Sequence, residues 1–150
     1  MSESAVAGPH LSMTAVQNQI VAEMSVLEHQ LKKYEYLVGL GRVLEVPEES
    51  IRQEANAVPG CLSQVWITAE LRSGRLRISA DSEAMITRGI IALLLWVLDG
   101  RTPAEILEAD LFFLDRTGLQ AYLSPSRANG LAAMVRQIRS YAEVASGSGH

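Results

Sequence analysis

The sequence offers one thiol for chemistry. Cys61 is its single cysteine, and it sits in Val58-Pro59-Gly60-Cys61-Leu62-Ser63-Gln64. Pro59 and Gly60 predict a tight turn just before the thiol, and Val65-Trp66-Ile67 just after it predicts a strand that anchors the turn to a sheet. A thiol at such a turn is placed to meet a partner molecule, although free cysteines also serve as small buried hydrophobes. The nucleophile would be the thiolate, about a tenth of the population near pH 7.5 for a reference pKa of ~8.5. A nearby cation or backbone donor would raise that fraction, and apolar neighbours such as Leu62 would lower it. One cysteine excludes an intrachain disulfide and any multi-thiolate metal site made by one chain.

A cysteine hydrolase needs a base beside its nucleophile. His10 and His150 fall in terminal segments and His29 at a helix break, so no histidine is placed beside Cys61. The same scatter gives no metal-ligand spacing. Gly39-Leu40-Gly41 looks like part of a phosphate-binding glycine motif, but it ends a helix rather than joining a strand to one. Arg127 stands out among the charged residues. At 100° per residue, Leu131, Met134, Ile138 and Ala142 lie within about 60° of it, whereas Arg136 and Arg139 lie at about 180° and 120°. Its guanidinium therefore points with the apolar stripe, either into an ion pair or toward a pocket or partner surface. Asp81 can cap a helix or, from a strand end, pair with such an arginine. The remaining charges are expected on solvated faces.

Period shifts along the chain predict the elements that hold these residues. Val16, Ile20, Met24, Leu27 and Leu31 share one helical face after a capping box at Thr14 and Gln17, and the face continues through Tyr34, Leu37, Val38 and Leu40. Gly41 offers a left-handed stop to this second helix. The middle changes to alternation. Val65, Ile67 and Ala69, then Leu76, Ile78 and Ala80, around Arg72-Ser73-Gly74, predict an antiparallel hairpin of strands 64 to 70 and 75 to 80. Arg75, Arg77 and Ser79 form its polar face, which should meet solvent or a partner. Asp81 or Ser82 can cap a central core helix through Met85, Ile86, Ile90, Leu93, Leu94 and Val97, ended by Asp99-Gly100. Thr102-Pro103-Ala104-Glu105 starts a short helix, Phe112 to Leu114 lies in another, and Ser124-Pro125 opens the last. Helices, hairpin, helices is an α+β order. The expected organisation is a flexible tail over 1–13, one domain over 14–145 and a second tail over 146–150.

Composition narrows the function classes. Thirteen Lys plus Arg against seventeen Asp plus Glu, a formal charge of -4, makes a phosphate-backbone binder unexpected. A hydrophobic content of 48% excludes disorder throughout. The most apolar run, Gly89 to Leu98, has about half of the ~20 residues that a membrane helix needs. The N-terminal residues lack the pattern of a secretory signal, and the lone thiol suits a reducing cytoplasm.

Three separated blocks resemble the SufE family: Pro59-Gly60-Cys61-Leu62-Ser63-Gln64-Val65-Trp66; Ala80-Asp81-Ser82-Glu83 with Arg88-Gly89-Ile90-Ile91-Ala92; and Leu123-Ser124-Pro125-Ser126-Arg127-Ala128-Asn129-Gly130-Leu131. Tyr34-Glu35-Tyr36-Leu37-Val38-Gly39-Leu40-Gly41 and Gly100-Arg101-Thr102-Pro103 also fit, and the likeness spans roughly residues 16 to 142. Leu62 stands where the family often has a polar residue. The resemblance implies a non-enzymatic sulfur acceptor of iron-sulfur cluster assembly. Its Cys61 would take sulfane sulfur from the persulfide of a SufS-type cysteine desulfurase, stimulate that enzyme and pass the sulfur to a scaffold of SufB, SufC and SufD type. Pyridoxal phosphate would belong to the desulfurase, leaving this protein without a cofactor, and a homodimer is compatible with the family. The resemblance also implies that Asp81 and Arg127 support the cysteine loop and the partner contact. It implies an antiparallel sheet of about three strands, the third lying between Gln53 and Val58. The rival readings are a cysteine hydrolase and a non-catalytic adaptor with a structural cysteine.

Overall fold

The computed structural model describes residues 11–45, 47–60 and 64–148. Helix α1 spans Met13–Ser25 and α2 Gln30–Val43. Ser12 Oγ, not Thr14, caps α1 by accepting the Ala15 N–H at 3.1 Å, because the helix begins one residue before Thr14. Val16, Ile20 and Met24 face the core as their spacing predicts. His29 occupies the cap position of α2 at the expected break. Gly41, however, lies inside α2 rather than ending it. A Cβ there would sit 2.4 Å from the Met85 carbonyl oxygen, and one on Gly89 would sit 2.0 Å from that of Leu37. The glycines are there because two helix backbones touch.

The sheet is a hairpin of β1, Val65–Arg72, and β2, Arg75–Ser82, paired from Val65↔Ser82 to Arg72↔Arg75. Both strands outrun their expected ends by two residues. Positive φ at Ser73 and Gly74 gives the two-residue turn its twist. Among the described residues the expected third strand is absent. Residues Glu54–Asn56 form a 3-10 turn, and pairing is limited to a bridge between Ala57 and Trp66 and the Val58 N–H on the Val65 carbonyl. Pro59 follows at once, with no N–H to extend a ladder.

A two-stranded sheet is marginal alone, and here each edge is met by other parts of the chain over part of its length. Asp99 Oδ1 accepts the Ile78 N–H at 2.7 Å, Leu76 exchanges backbone bonds with Gly100 and Arg101, and Tyr141 donates its hydroxyl to the Ile67 carbonyl at 2.8 Å. Arg75, Arg77 and Ser79 are exposed on the polar face, and Arg77 and Ser79 border a cleft of about 990 Å³ between the hairpin, α1, α2 and the helix that follows the hairpin.

Helix α3, Met85–Leu98, is the core element: Ile86, Ile90, Ile91, Leu93, Leu94, Val97 and Leu98 are all buried. Its cap residue is Ala84, not Asp81 or Ser82. Those two end β2, although Ser82 Oγ still accepts the Ala84 N–H at 3.2 Å. Helix α4, Pro103–Glu108, has the complete Thr102–Glu105 capping box. Short helices α5, Phe113–Arg116, and α6, Leu119–Tyr122, lead to α7, Pro125–Ser148, which packs on α4 and β1 and continues through residues 146–148 of the segment read as a tail. The fold is α+β, and no helix among the described residues is long and apolar enough to cross a membrane.

Two polar side chains, Gln17 and Arg101, are buried, and Arg101 corrects the expectation that the remaining charges stay on solvated faces. Gln17 donates to the Asp110 carbonyl and accepts the Phe113 N–H, both at 3.1 Å. Arg101 donates to the carbonyls of Val97 and Leu11 at 3.0 and 2.7 Å.

The helix crossing makes a prediction. Alanine is worth about 1 kcal/mol over glycine inside a helix, yet Gly89→Ala should lower unfolding free energy by about 3 kcal/mol, since backbone rather than a flexible side chain must move. A urea-melt loss under about 1 kcal/mol would show that the helices can spread. Asp99 makes another. Burial raises its carboxyl pKa above the usual 3.8, so the folded state favours the protonated form. That contribution is complete below the unfolded value and disappears as pH rises through the folded one. Relative to Asp99→Asn, the native protein should therefore lose stability as pH rises above the ordinary carboxylate range. A flat or opposite difference between the two melt series would refute this.

Candidate functional site

Cys61, Leu62 and Ser63 lie outside the described residues, and the arms on either side of them are described. The entry arm runs from Arg52 to Gly60. Asn56 Nδ2 donates to the Ile51 carbonyl at 2.9 Å, folding this arm around the 3-10 turns, and Gly60, at φ 90°, lies against Ala133 of α7. The exit arm is Gln64, whose carbonyl accepts the Ser82 hydroxyl at 2.7 Å. The two arms meet where the Val58 N–H reaches the Val65 carbonyl at 2.9 Å.

Beside this junction lies the Asp81 carboxylate, 2% exposed. Oδ2 accepts from Arg52 Nε and Nη2 at 3.1 and 3.0 Å, and Oδ1 accepts from Arg88 Nη1 and from the Ser82 N–H at 2.9 Å. Arg88 also donates to the carbonyls of Gly41 and Leu44, both at 3.1 Å, at the C-terminal end of α2. These carbonyls have no intrahelical donor to spare, and a cation suits the helix end. The Arg52 guanidinium lies 4.9 Å from the ring centroid of Trp66, the residue paired across the hairpin from Asp81. One buried negative charge thus faces two guanidiniums.

Arg127 does not join this cluster. It is half-buried in the first turn of α7, at the end of the stripe formed by buried Leu131, Met134, Ile138 and Ala142, and its Nη1 donates to the Tyr34 hydroxyl at 3.1 Å. Asp81 therefore finds other arginines than the one that its sequence position suggested. His29 is exposed at the start of α2, while His10 and His150 lie outside the described residues. No group of three or more His, Cys, Asp or Glu among the described residues could hold a metal ion.

Arg52, Arg88, Trp66, Ser82 and Tyr34 were not singled out as site residues. Arg88 carried a usable signal, a cation on a helix otherwise apolar almost all round. Arg52 carried none, since a single arginine after a proline-marked turn reads as a surface residue.

This fold and site define a class: small α+β proteins whose single cysteine falls in sequence between two arms tied to a hairpin. Comparison with known proteins agrees. A family model described as "SufE: Fe-S metabolism associated domain" matches residues 18–142. A protein of Synechocystis sp. strain PCC 6803, described as an uncharacterized SufE-like protein, is 43% identical over 111 residues, 74% of this chain and 70% of that protein. A SufE-like protein of Rhizobium meliloti is 38% identical over 132 residues, 84% of this chain and 94% of the other. The solution structure of a hypothetical protein from Thermus thermophilus shares the fold, with a TM-score of 0.71 at 21% identity over 87% of this chain and 95% of that one. The chain belongs to the SufE family, which is associated with Fe-S metabolism.

Arg88→Ala should cost about 3–5 kcal/mol, because it removes the more buried cation from Asp81 and the donors from two helix-end carbonyls. Guanidinium or urea melts check this, and a loss below about 1 kcal/mol would mean that Arg52 alone can hold the buried carboxylate.

Proposed function

We propose that this protein is a cytoplasmic sulfur acceptor of iron-sulfur cluster assembly with Cys61 as its acceptor atom. The Cys61 thiolate attacks the outer sulfur of a desulfurase persulfide. One S–S bond forms as another breaks, the desulfurase thiolate leaves, and Cys61 carries the persulfide with no net oxidation. The sulfur then passes to a cluster scaffold, and clearing the persulfide stimulates the desulfurase. Such exchange requires one thiolate and a leaving thiolate but no general base beside the nucleophile. A chain with one cysteine, and with no histidine near it in sequence, suits that chemistry better than hydrolysis.

The observation that carries this reading is the family match over residues 18–142, with the chain's single cysteine inside its Pro-Gly-Cys block. SufS-type desulfurases and SufB, SufC and SufD-type scaffolds are the partners this membership favours. Pyridoxal phosphate serves on the desulfurase. Arg127 is offered to the partner: it is half-buried, donates to the Tyr34 hydroxyl and, among the described residues, breaks no ion pair by accepting a carboxylate.

Incubation with a cysteine desulfurase, pyridoxal phosphate and cysteine, followed by mass measurement without reductant, should add about 32 Da, one sulfur atom, to the native chain and nothing to Cys61→Ser. No gain with a desulfurase that charges another member of the family would overturn the proposal. In the same assay Arg127→Ala should slow uptake while leaving the melting temperature within a few degrees.

A further inference from the structure

The two arginines on Asp81 are not equivalent. Arg88 is embedded: its side chain is 11% exposed, it stands on the core helix α3, and it serves Asp81 and two carbonyls of the α2 end. Arg52 is 39% exposed, lies outside regular helix and strand, and its contacts are Asp81 Oδ2 and the Trp66 face. If Arg52 withdraws, Asp81 keeps a guanidinium and a backbone donor, so no buried charge is orphaned. If Arg88 withdraws, two carbonyls lose their donors and the cluster loses its buried cation.

Arg52 is also the residue at which the entry arm begins. Gln53, the Glu54–Asn56 turn, Ala57 and Val58 follow it directly. The exit arm is tied to the same place, since Ser82, next to Asp81, holds the Gln64 carbonyl. One carboxylate and its neighbour thus reference both arms: the outgoing one through a hydroxyl inside β2, the incoming one through an ion pair at the surface.

We infer that Arg52 is the positioning residue of the thiol-bearing segment, setting the entry arm against the hairpin through Asp81 and Trp66 and thereby setting how readily Cys61 reacts. Its importance for sulfur transfer rests on the function proposed above, but its effect on the arm and the thiol does not. Arg52 acts on geometry and contributes no proton or electron pair to the transfer.

The test compares the native protein with Arg52→Ala and Arg52→Lys, using amide hydrogen exchange and alkylation of Cys61 by iodoacetamide without desulfurase. Arg52→Ala should speed Val58 amide exchange and Cys61 alkylation by about two- to fivefold, the factor that a half-exposed ion pair supports. Ile90 amide exchange in α3 should not change. Arg52→Lys keeps the charge but not the paired donors and should restore part of both rates. Unchanged Val58 exchange overturns the inference. So does faster Val58 exchange with unchanged alkylation, which would uncouple the arm from the thiol. Acceleration of Ile90 to the same degree also overturns it, because the role would then be global stability. The mass assay stands apart: failure of native protein to gain sulfur would sink the proposed function and leave these rates to decide the role of Arg52.

Discussion

A carboxylate taken out of water must find cations and donors or cost the fold several kcal/mol, and Asp81 meets that condition by drawing three parts of the chain together. The turn after Ile51, the core helix α3 and the end of β2 converge because each brings a donor to its two oxygens. The C-terminal end of α2 is drawn in through Arg88. Both arms begin beside this satisfied charge, the entry arm at Arg52 and the exit arm at the Gln64 carbonyl held by Ser82. Apolar packing lays the hairpin on the helices, while the ion cluster sits where the chain approaches and leaves β1.

The cluster depends in turn on how closely α2 and α3 cross. Arg88 reaches the Gly41 and Leu44 carbonyls because Gly41 and Gly89 let the two backbones touch. Any side chain at that crossing would push the end of α2 away and leave the guanidinium short of its acceptors. Two glycines, usually weak positions in helices, therefore support the polar site through sheer proximity.

Much of the fold was legible because it is periodic. Alternation from Val65 to Ala80 marked the hairpin, and spacings of three and four marked the helices, where Val16, Ile20, Met24, Leu37, Ile90 and Leu94 are buried as expected but Leu31 and Met85 are exposed. The capping box at Thr102 was equally clear, since its partners lie three residues apart. What escaped was tertiary. Gly41 looked like a stop because sequence shows a glycine's freedom and not a neighbouring backbone that excludes Cβ. The strand expected before Val58 shrank to a bridge and one hydrogen bond because Pro59 interrupts it. Within the site, the importance of Asp81 was legible but its partners were not: Arg52 lies 29 residues away, and Arg127, the arginine that helical phase singled out, rests on Tyr34. Side-chain pairing between distant segments has no period to betray it.

The occupied edges of the hairpin limit how this molecule can associate. A free strand edge invites other chains to add to the sheet. Here Asp99, Gly100 and Arg101 fill the outer groups of β2 at Leu76 and Ile78, and Val58 and Tyr141 take those of β1 at Val65 and Ile67. A visiting chain finds these particular backbone groups already taken. Recognition is left to side chains and to the arms, where affinity can remain modest and contacts brief. For the relay proposed above, a hairpin that is a poor template for permanent pairing is an advantage.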